Sequence, residues 1–496
     1  MRIGYYLRKP FSVAGGLLAA LAGALGLLSA AGCAAAGGPS SALEGDSWPA
    51  EVRSSSLGRA AEHVQVAPLP ESPSLEDYLA YAALNNAGLE AAFSRWKAAL
   101  ERAPQVRALP DPRFTYRHFI REVETRVGPQ EHGVGLAQTL PWFGKLKLRG
   151  DAAWEAVEAE RMRYEAEKLR LFYRVKDAYC EYYYLGRAIA VVREQRDFLR
   201  YLEEVLRTRY RADAARYSDL IRAQVELGKL DDRLRTLIDL REPVVARLNA
   251  ALNRPAGAEL PWPRDIDRQE LDATDEEILA WLPAVSPELQ ELQHEIARQE
   301  HAVRLARKDF YPDITVGVDY IDTGSAVMAT SDSGKDPVIA MVSINLPIWR
   351  GKLEAGVREA QARKRAAVKA RTERENALAS AVKMVLYRLR DAERKINLYR
   401  DTLLPKGRQS LSASETAFRA GNASFLDVVD AIRALLEFEL SHERARTDQS
   451  QRLAELEMLV GRQFGRRVEH GPASAQDAPG EGAAAERDAG AKSALD

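Results

Sequence analysis

Residues 139–156 read TLPWFGKLKLRGDAAWEA, and residues 345–362 read NLPIWRGKLEAGVREAQA. Each stretch closes a run of alternating polarity with Leu-Pro, passes an aromatic and a Gly-Lys step, and enters a long charged pattern of helical period. Pro fixes φ and lacks an N–H, so it ends a strand ladder and suits a helix start. Pro141 with Gly144, and Pro347 with Gly351, therefore mark two strand-to-helix junctions.

Upstream of each junction the period is two. Phe114, Tyr116, His118 and Ile120 alternate with Arg113, Thr115, Arg117 and Phe119; Ile314, Val316, Val318 and Tyr320 alternate with Thr315, Gly317 and Asp319. Period-two patterning predicts strands near 113–120, 133–140, 314–321 and 338–346, each with one wet face, and external loops at 121–132 and 322–337. Trp142, Phe143 and Trp349 sit at the strand ends, where aromatics collect at a membrane interface. Downstream, the runs from Lys147 to Arg209 and from Leu353 to Phe418 hold no proline except Pro405. At about 1.5 Å per residue each could extend roughly 90–100 Å, and their charge requires water.

The duplication extends well past the junctions. ALPDPRFTYRHF (108–119) aligns with FYPDITVGVDY (310–320), and TRYRADAARYSDL (208–220) with AFRAGNASFLDVV (417–429). Landmarks repeated in the same order identify a duplicated unit, with one copy over 74–265 (long helices over 147–252) and the next over 266–465 (long helices over 353–462). Residues 252–289 interrupt the periodicity and link the copies. Four strands cannot close a membrane barrel, and open sheet edges cannot face lipid, so barrel closure would need several chains.

In the 496-residue chain, 71 Lys+Arg nearly cancel 72 Asp+Glu. This argues against a nucleic-acid binder, which carries a basic excess. After the first 32 residues no apolar run is long enough for a membrane helix. Those 32 residues have a basic start, an apolar Ala/Leu/Gly run and the ending SAAGC, the pattern of a secretory signal. Cleavage before Cys33 and acylation of its thiol would make a lipid anchor, although Ala30 stands where such signals usually have Leu. Residues 33–73 read as a tether and 466–496 as a disordered tail. Cys180 reads as a small packed side chain. HEIARQEH places His294 and His301 seven apart, whereas a zinc helix needs a spacing of four. Together with the lack of a phosphate loop or nucleophile elbow, this points to no enzyme, no metal and no cofactor.

The strand-Pro-helix unit and the tips YRADAARYSDL and FRAGNASFLDVVDA resemble the TolC-type outer-membrane efflux proteins over about 74–465, and LPWFGKLKLRG is closer to the branch serving heavy-metal pumps. The resemblance implies a mainly α chain with membrane β: a homotrimer whose twelve-stranded β-barrel in the outer membrane continues into a periplasmic α-helical barrel. It implies an exit duct docked to a periplasmic adaptor and an inner-membrane pump of the resistance-nodulation-division type. By match to the family's tips, Asp219, Asp427 and Asp430 would line the pore gate. Arg211, Ala212, Asp213 and Ala214, with Arg419, Ala420, Gly421 and Asn422, would meet the adaptor. The first tip lacks the family's Gly, which the second keeps as Gly421. The competing reading is a non-conducting periplasmic coiled-coil scaffold or adaptor lipoprotein.

Overall fold

A computed structural model describes residues 69–213, 215–266, 271–328 and 331–464. Cys33 with the segment before it, Ala214 and the tail from 465 lie outside the described residues. Each repeat opens with a capped pair of short helices. Ser74 and Asp77 form a capping box that starts α1 (Leu75–Asn85), and Thr274 and Glu277 form one at α6 (Asp275–Val285). Such reciprocal side-chain bonds satisfy orphan N–H groups of the first turn. Asn86 then caps α2 (Ala87–Arg107), while Pro287 occupies the first turn of α7 (Pro287–Lys308). Residues 275–285, which the sequence suggested were linker, are thus the second copy of α1.

The strands are β1 (Arg113–Thr125), β2 (Gly128–Leu140), β3 (Ile314–Thr323) and β4 (Val338–Ile344), in one antiparallel sheet of order β1-β2-β3-β4. The expected loop at 121–132 is a correction: β1 and β2 run on to a two-residue turn at Arg126-Val127. Charged residues there hid strands that continue beyond the apolar band. The loop after β3 folds over this turn, with Gly334 N–H donating to Val127 O at 2.7 Å and Gly324 N–H to Pro129 O at 2.7 Å. β4 stops at Ile344, two residues early, because the Asn345 side chain accepts from Asp313 N–H.

Register assigns the two sheet faces. Phe114, Leu136, Val318 and Ala340 lie in one cross-strand row, and Tyr116, Val134, Tyr320 and Val338 in the next row on that face. The opposite face carries Thr115, Gly135 and Asp319 in one row, with Arg117 beside Gly133. Arg117 reaches Asp319 at 2.5 Å across β2. A side chain on Gly135 would bring a Cβ to 2.4 Å from the Asp319 carboxylate, so glycine is what lets this pair cross. On the apolar face Ile120 is 92% exposed and Val342 74% exposed.

Past the sheet, α3 (Lys145–Arg211) runs unbroken for 67 residues, about 100 Å. Its counterpart is α8 (Arg350–Leu398), a π-helical turn (Tyr399–Leu403) and α9 (Leu404–Arg419), with Pro405 in its first turn. Lys145 and Lys352 are 207 residues apart, but Arg211 and Arg419 are 208 apart. The second copy thus contains one extra residue, and a π-turn absorbs one. It also removes the clash that Pro405 would make with the preceding turn of a regular helix. The return helices are α4 (Tyr217–Asp239) with α5 (Arg241–Ala251), and α10 (Phe425–Val460). They stop at Asn253 (φ 55°) and Gly461 (φ 86°), again 208 apart and both left-handed.

The cores follow the repeat. Tyr78 and Ala82 of α1 pack with Leu171 and Val175 of α3, while Ile278 and Leu282 of α6 pack with Val382 and Leu386 of α8. A third cluster joins α3, α4, α9 and α10 toward the tips. Among the described residues, no helix is long and apolar enough to cross a membrane.

Candidate functional site: hairpin tips and strand-helix junctions

Helical hairpins turn between Arg211 and Tyr217 and between Arg419 and Phe425. Tyr210 and Tyr217 flank the first turn, with ring centroids 5.5 Å apart, and Phe418 and Phe425 flank the second at 5.7 Å. The Phe pair is buried in the tip core and the Tyr pair is exposed. Asp213 (φ 54°) and Gly421 (φ 80°) make the left-handed step. Arg211, Ala212 and Asp213, with Arg419, Ala420, Gly421 and Asn422, are all exposed.

The three candidate gate carboxylates have different surroundings. Asp427 is the third residue of α10 and closes a capping box: its carboxylate accepts from Ser424 N–H at 2.9 Å and Ser424 Oγ–H at 2.8 Å. Asp219 holds the same place in α4, but Arg216 stands where the cap serine would be, and Asp219 pairs loosely with Arg222 at 3.6 Å. Asp430 lies 3.1 Å from Arg433, which also reaches Glu226 on α4 at 2.5 Å. That guanidinium and Lys229 hold the Glu226 carboxyl below its ordinary value of 4.5. The structure therefore brings Asp430 into a cluster with Arg433 and Glu226, while Asp427 serves its own helix start.

Arg209 makes the tie between tips. It donates to Phe418 O at 3.2 Å and Arg419 O at 2.8 Å and stands over the Phe418 ring at 5.2 Å. These are end carbonyls of α9, which attract a cation; Phe418 O also accepts from Gly421 N–H at 3.1 Å. Sequence reading missed Arg209, Glu226 and Arg433. Only the spacing of Asp430 and Arg433, three apart on a helix, carried a signal.

The two junctions differ. In the first, Gly144 (φ 85°) caps α3 and Lys145 is 3% exposed. Its ammonium lies 2.9 Å from Asp313, 3.5 Å from Asp309 and 3.3 Å from Tyr311 O. Trp142 donates its backbone N–H to Asp313 at 2.8 Å, and its ring stacks on Tyr311 with centroids 5.4 Å apart. In the second, Gly351 lies inside the first turn of α8 rather than at a left-handed cap, which corrects the reading of Gly144 and Gly351 as equivalents. Lys352 and Trp349 are exposed there, and Asp111, ahead of β1 at the other edge of the sheet, is exposed too.

His294 pairs with Glu155 at 2.8 Å and His301 lies 3.9 Å from Asp151. Both acids are on α3, so these histidines serve helix packing. Burial pushes the Cys180 thiol up to about 12, where it stays protonated and inert.

A repeated strand pair feeding long helical hairpins with polar tips defines a class, the TolC-type outer-membrane channel fold. Residues 282–462 match the model of the outer membrane efflux protein family. That match lies within the second repeat, and the fold of the described residues as a whole is that of the TolC-type outer-membrane channels. It is 22% identical over 426 residues to the pyoverdine export outer membrane protein OpmQ of Pseudomonas putida, covering 79% of this chain and 86% of that one. The outer membrane protein VceC of Vibrio cholerae superposes with a TM-score of 0.66 at 18% identity, over 79% of this chain and 97% of its own. The MtrE outer-membrane channel of Neisseria gonorrhoeae, solved in an open state, gives 0.65 at 18% identity, over 81% and 96%.

Proposed function

We propose that this protein is the outer-membrane exit duct of a tripartite efflux system, built from three copies of the chain. Cargo would be handed to it by a periplasmic adaptor and an inner-membrane pump. One observation carries the reading: a four-stranded sheet with an apolar outer face and two unpaired edges, joined directly to long charged helices. β4 is exposed along its whole length, and a free apolar edge invites pairing with another chain. The same-sized sheet from three chains would give twelve strands, enough for an aqueous lumen rather than a plugged one.

The internal repeat supplies the closing register. Within the chain, β2 pairs β3 with Ala137 opposite Gly317 and Gln138 opposite Val316. Aligning Pro141 with Pro347, and Pro312 with Pro110, transfers this to Ser343 opposite Thr115 and Ile344 opposite Phe114 of the next copy. Apolar Val342 and Ile344 then share a face with Tyr116 and Phe114. A shift by one residue would set Ile344 against the wet face. The same transfer puts Lys352 where Asp111 of the next copy can receive it, as Asp313 receives Lys145.

The tips would form the periplasmic entrance. Arg209 and the Arg433 cluster hold the two hairpins of one chain together, and a partner that binds a spread arrangement better would open them. Asp430 and Asp219 would favour cations at the mouth, with Arg433 offsetting part of that charge. Cargo class follows the partners; the pyoverdine-exporting relative and the metal-pump likeness of LPWFGKLKLRG leave both siderophores and metal ions as candidates. A lipid on Cys33 would tether the same assembly to the outer membrane.

Planar-bilayer recording of the purified protein tests the duct. Wild type should conduct weakly and prefer cations, and Asp430→Asn with Asp219→Asn should lose most of that preference with assembly intact. Paired Ser343→Cys and Thr115→Cys should cross-link chains into a ladder ending at three. A purified, membrane-inserted chain that never conducts would support the scaffold reading instead.

A further inference from the structure

At the outer end of the sheet, a row of four metal-ligating side chains has no part in the duct. His118 on β1 and His132 on β2 are register partners, and Asp322 on β3 is the partner of His132. Directly opposed residues share a face, so all three project from the same side. The ladder skips a residue between Gln130 and His132, a bulge that leaves Glu131 unpaired and can re-aim its side chain. The result is that donor atoms of Glu131, His132 and Asp322 all lie within 4.8 Å of one another, each side chain half-buried. Gly324 leaves room for this: a Cβ there would stand 2.7 Å from the Glu131 carboxylate.

The fourth group is His118. Its Nδ1 lies 3.2 Å from Nδ1 of His132, with the rings stacked 4.9 Å apart. Two nitrogens on one tetrahedral ion at about 2.0–2.1 Å are separated by roughly 3.3 Å, so the pair is already spaced for shared ligation. We propose that Glu131, His132 and Asp322, joined by His118, form a binding site for a borderline divalent transition metal of the zinc, copper or nickel class. Imidazole and carboxylate together suit those ions, whereas magnesium and calcium select oxygen alone.

The location gives the site a role. It lies one row beyond the Tyr116 and Tyr320 row and ten residues from Trp142 along β2. With strands tilted by about 40°, ten residues at about 3.3 Å rise some 25 Å, the height of an outward-facing apolar band. The row thus falls at the far rim, and a bound ion would staple β1, β2 and β3 where the ladder is interrupted. The site is complete within one chain and does not depend on whether the protein conducts.

The test uses the full chain in detergent, without a histidine tag and stripped with a chelator. Calorimetric titration with Zn2+ should reveal one site per chain, weakened at least about tenfold in His132→Gln and in Asp322→Asn. Binding should persist in His294→Gln with His301→Gln. Cu2+ electron paramagnetic resonance should report two nitrogen ligands in wild type and one in His118→Gln. Each variant's circular dichroism, matched to wild type, excludes misfolding. Zn2+ binding that is absent in wild type, or equal in wild type and His132→Gln, overturns the assignment.

Discussion

Asp213 and Gly421 stand 208 residues apart and take the same left-handed backbone step, at φ 54° and 80°. The relation repeats at Asn253 and Gly461. The first copy of the unit uses Asp and Asn where the second uses Gly. Those two residues tolerate the left-handed region because their short side chains bond locally. The missing tip glycine therefore leaves the turn geometry intact.

It follows that Gly421→Val should destabilise the tip by about 1–2 kcal/mol, the cost of a left-handed step for a residue with a Cβ. Asp213→Gly should be neutral within about 1 kcal/mol, relieved strain offsetting the looser unfolded chain. Denaturant midpoints of the two variants check this. Equal losses at both positions would remove the backbone explanation.

The Glu226 carboxyl is held low by Arg433 and Lys229. A depressed carboxyl contributes stability that is full above its unfolded value of 4.5 and is lost as pH falls through the lower folded value. The link between α4 and α10 should thus survive at pH 5 and fail only in stronger acid. Hydrogen exchange in the first turns of α4 should be faster in Glu226→Gln than in wild type at pH 6. The two should converge once pH has fallen below the lowered folded value; a difference that persists there would mean the ion pair is not what slows exchange.

Charge reversal probes the proposed contact between copies. Lys352→Asp and Asp111→Lys should each lower the temperature at which the assembly dissociates in detergent, and the double variant should recover most of the loss. Additive losses would place these side chains out of reach of one another, since coupling is the signature of a shared contact.

Much of the architecture was legible because it rests on period. Alternation at Ile314–Tyr320 and the Pro-free runs after Pro141 and Pro347 carry strand and helix directly. The strand extension through Arg121–Thr125 was not, because beyond an apolar band nothing forces alternation. The candidate gate carboxylates were legible only as positions. That Asp427 caps α10 follows from Ser424, three residues before it, whereas Arg209 and Glu226 act across 209–210 and 207 residues of chain, a distance no local pattern encodes. The row of His118, His132 and Asp322 needed register, which depends on a bulge.

The extra residue absorbed by the π-turn before Pro405 has a consequence for any assembly of three copies. Its mouth would present two hairpins per chain that cannot be superposed by rotation, one ending in an exposed tyrosine pair and one in a buried phenylalanine pair. Six-fold symmetry is thereby reduced to three-fold. A partner engaging the rim at every hairpin would meet two surfaces in alternation and would need two modes of contact, or would occupy every second one.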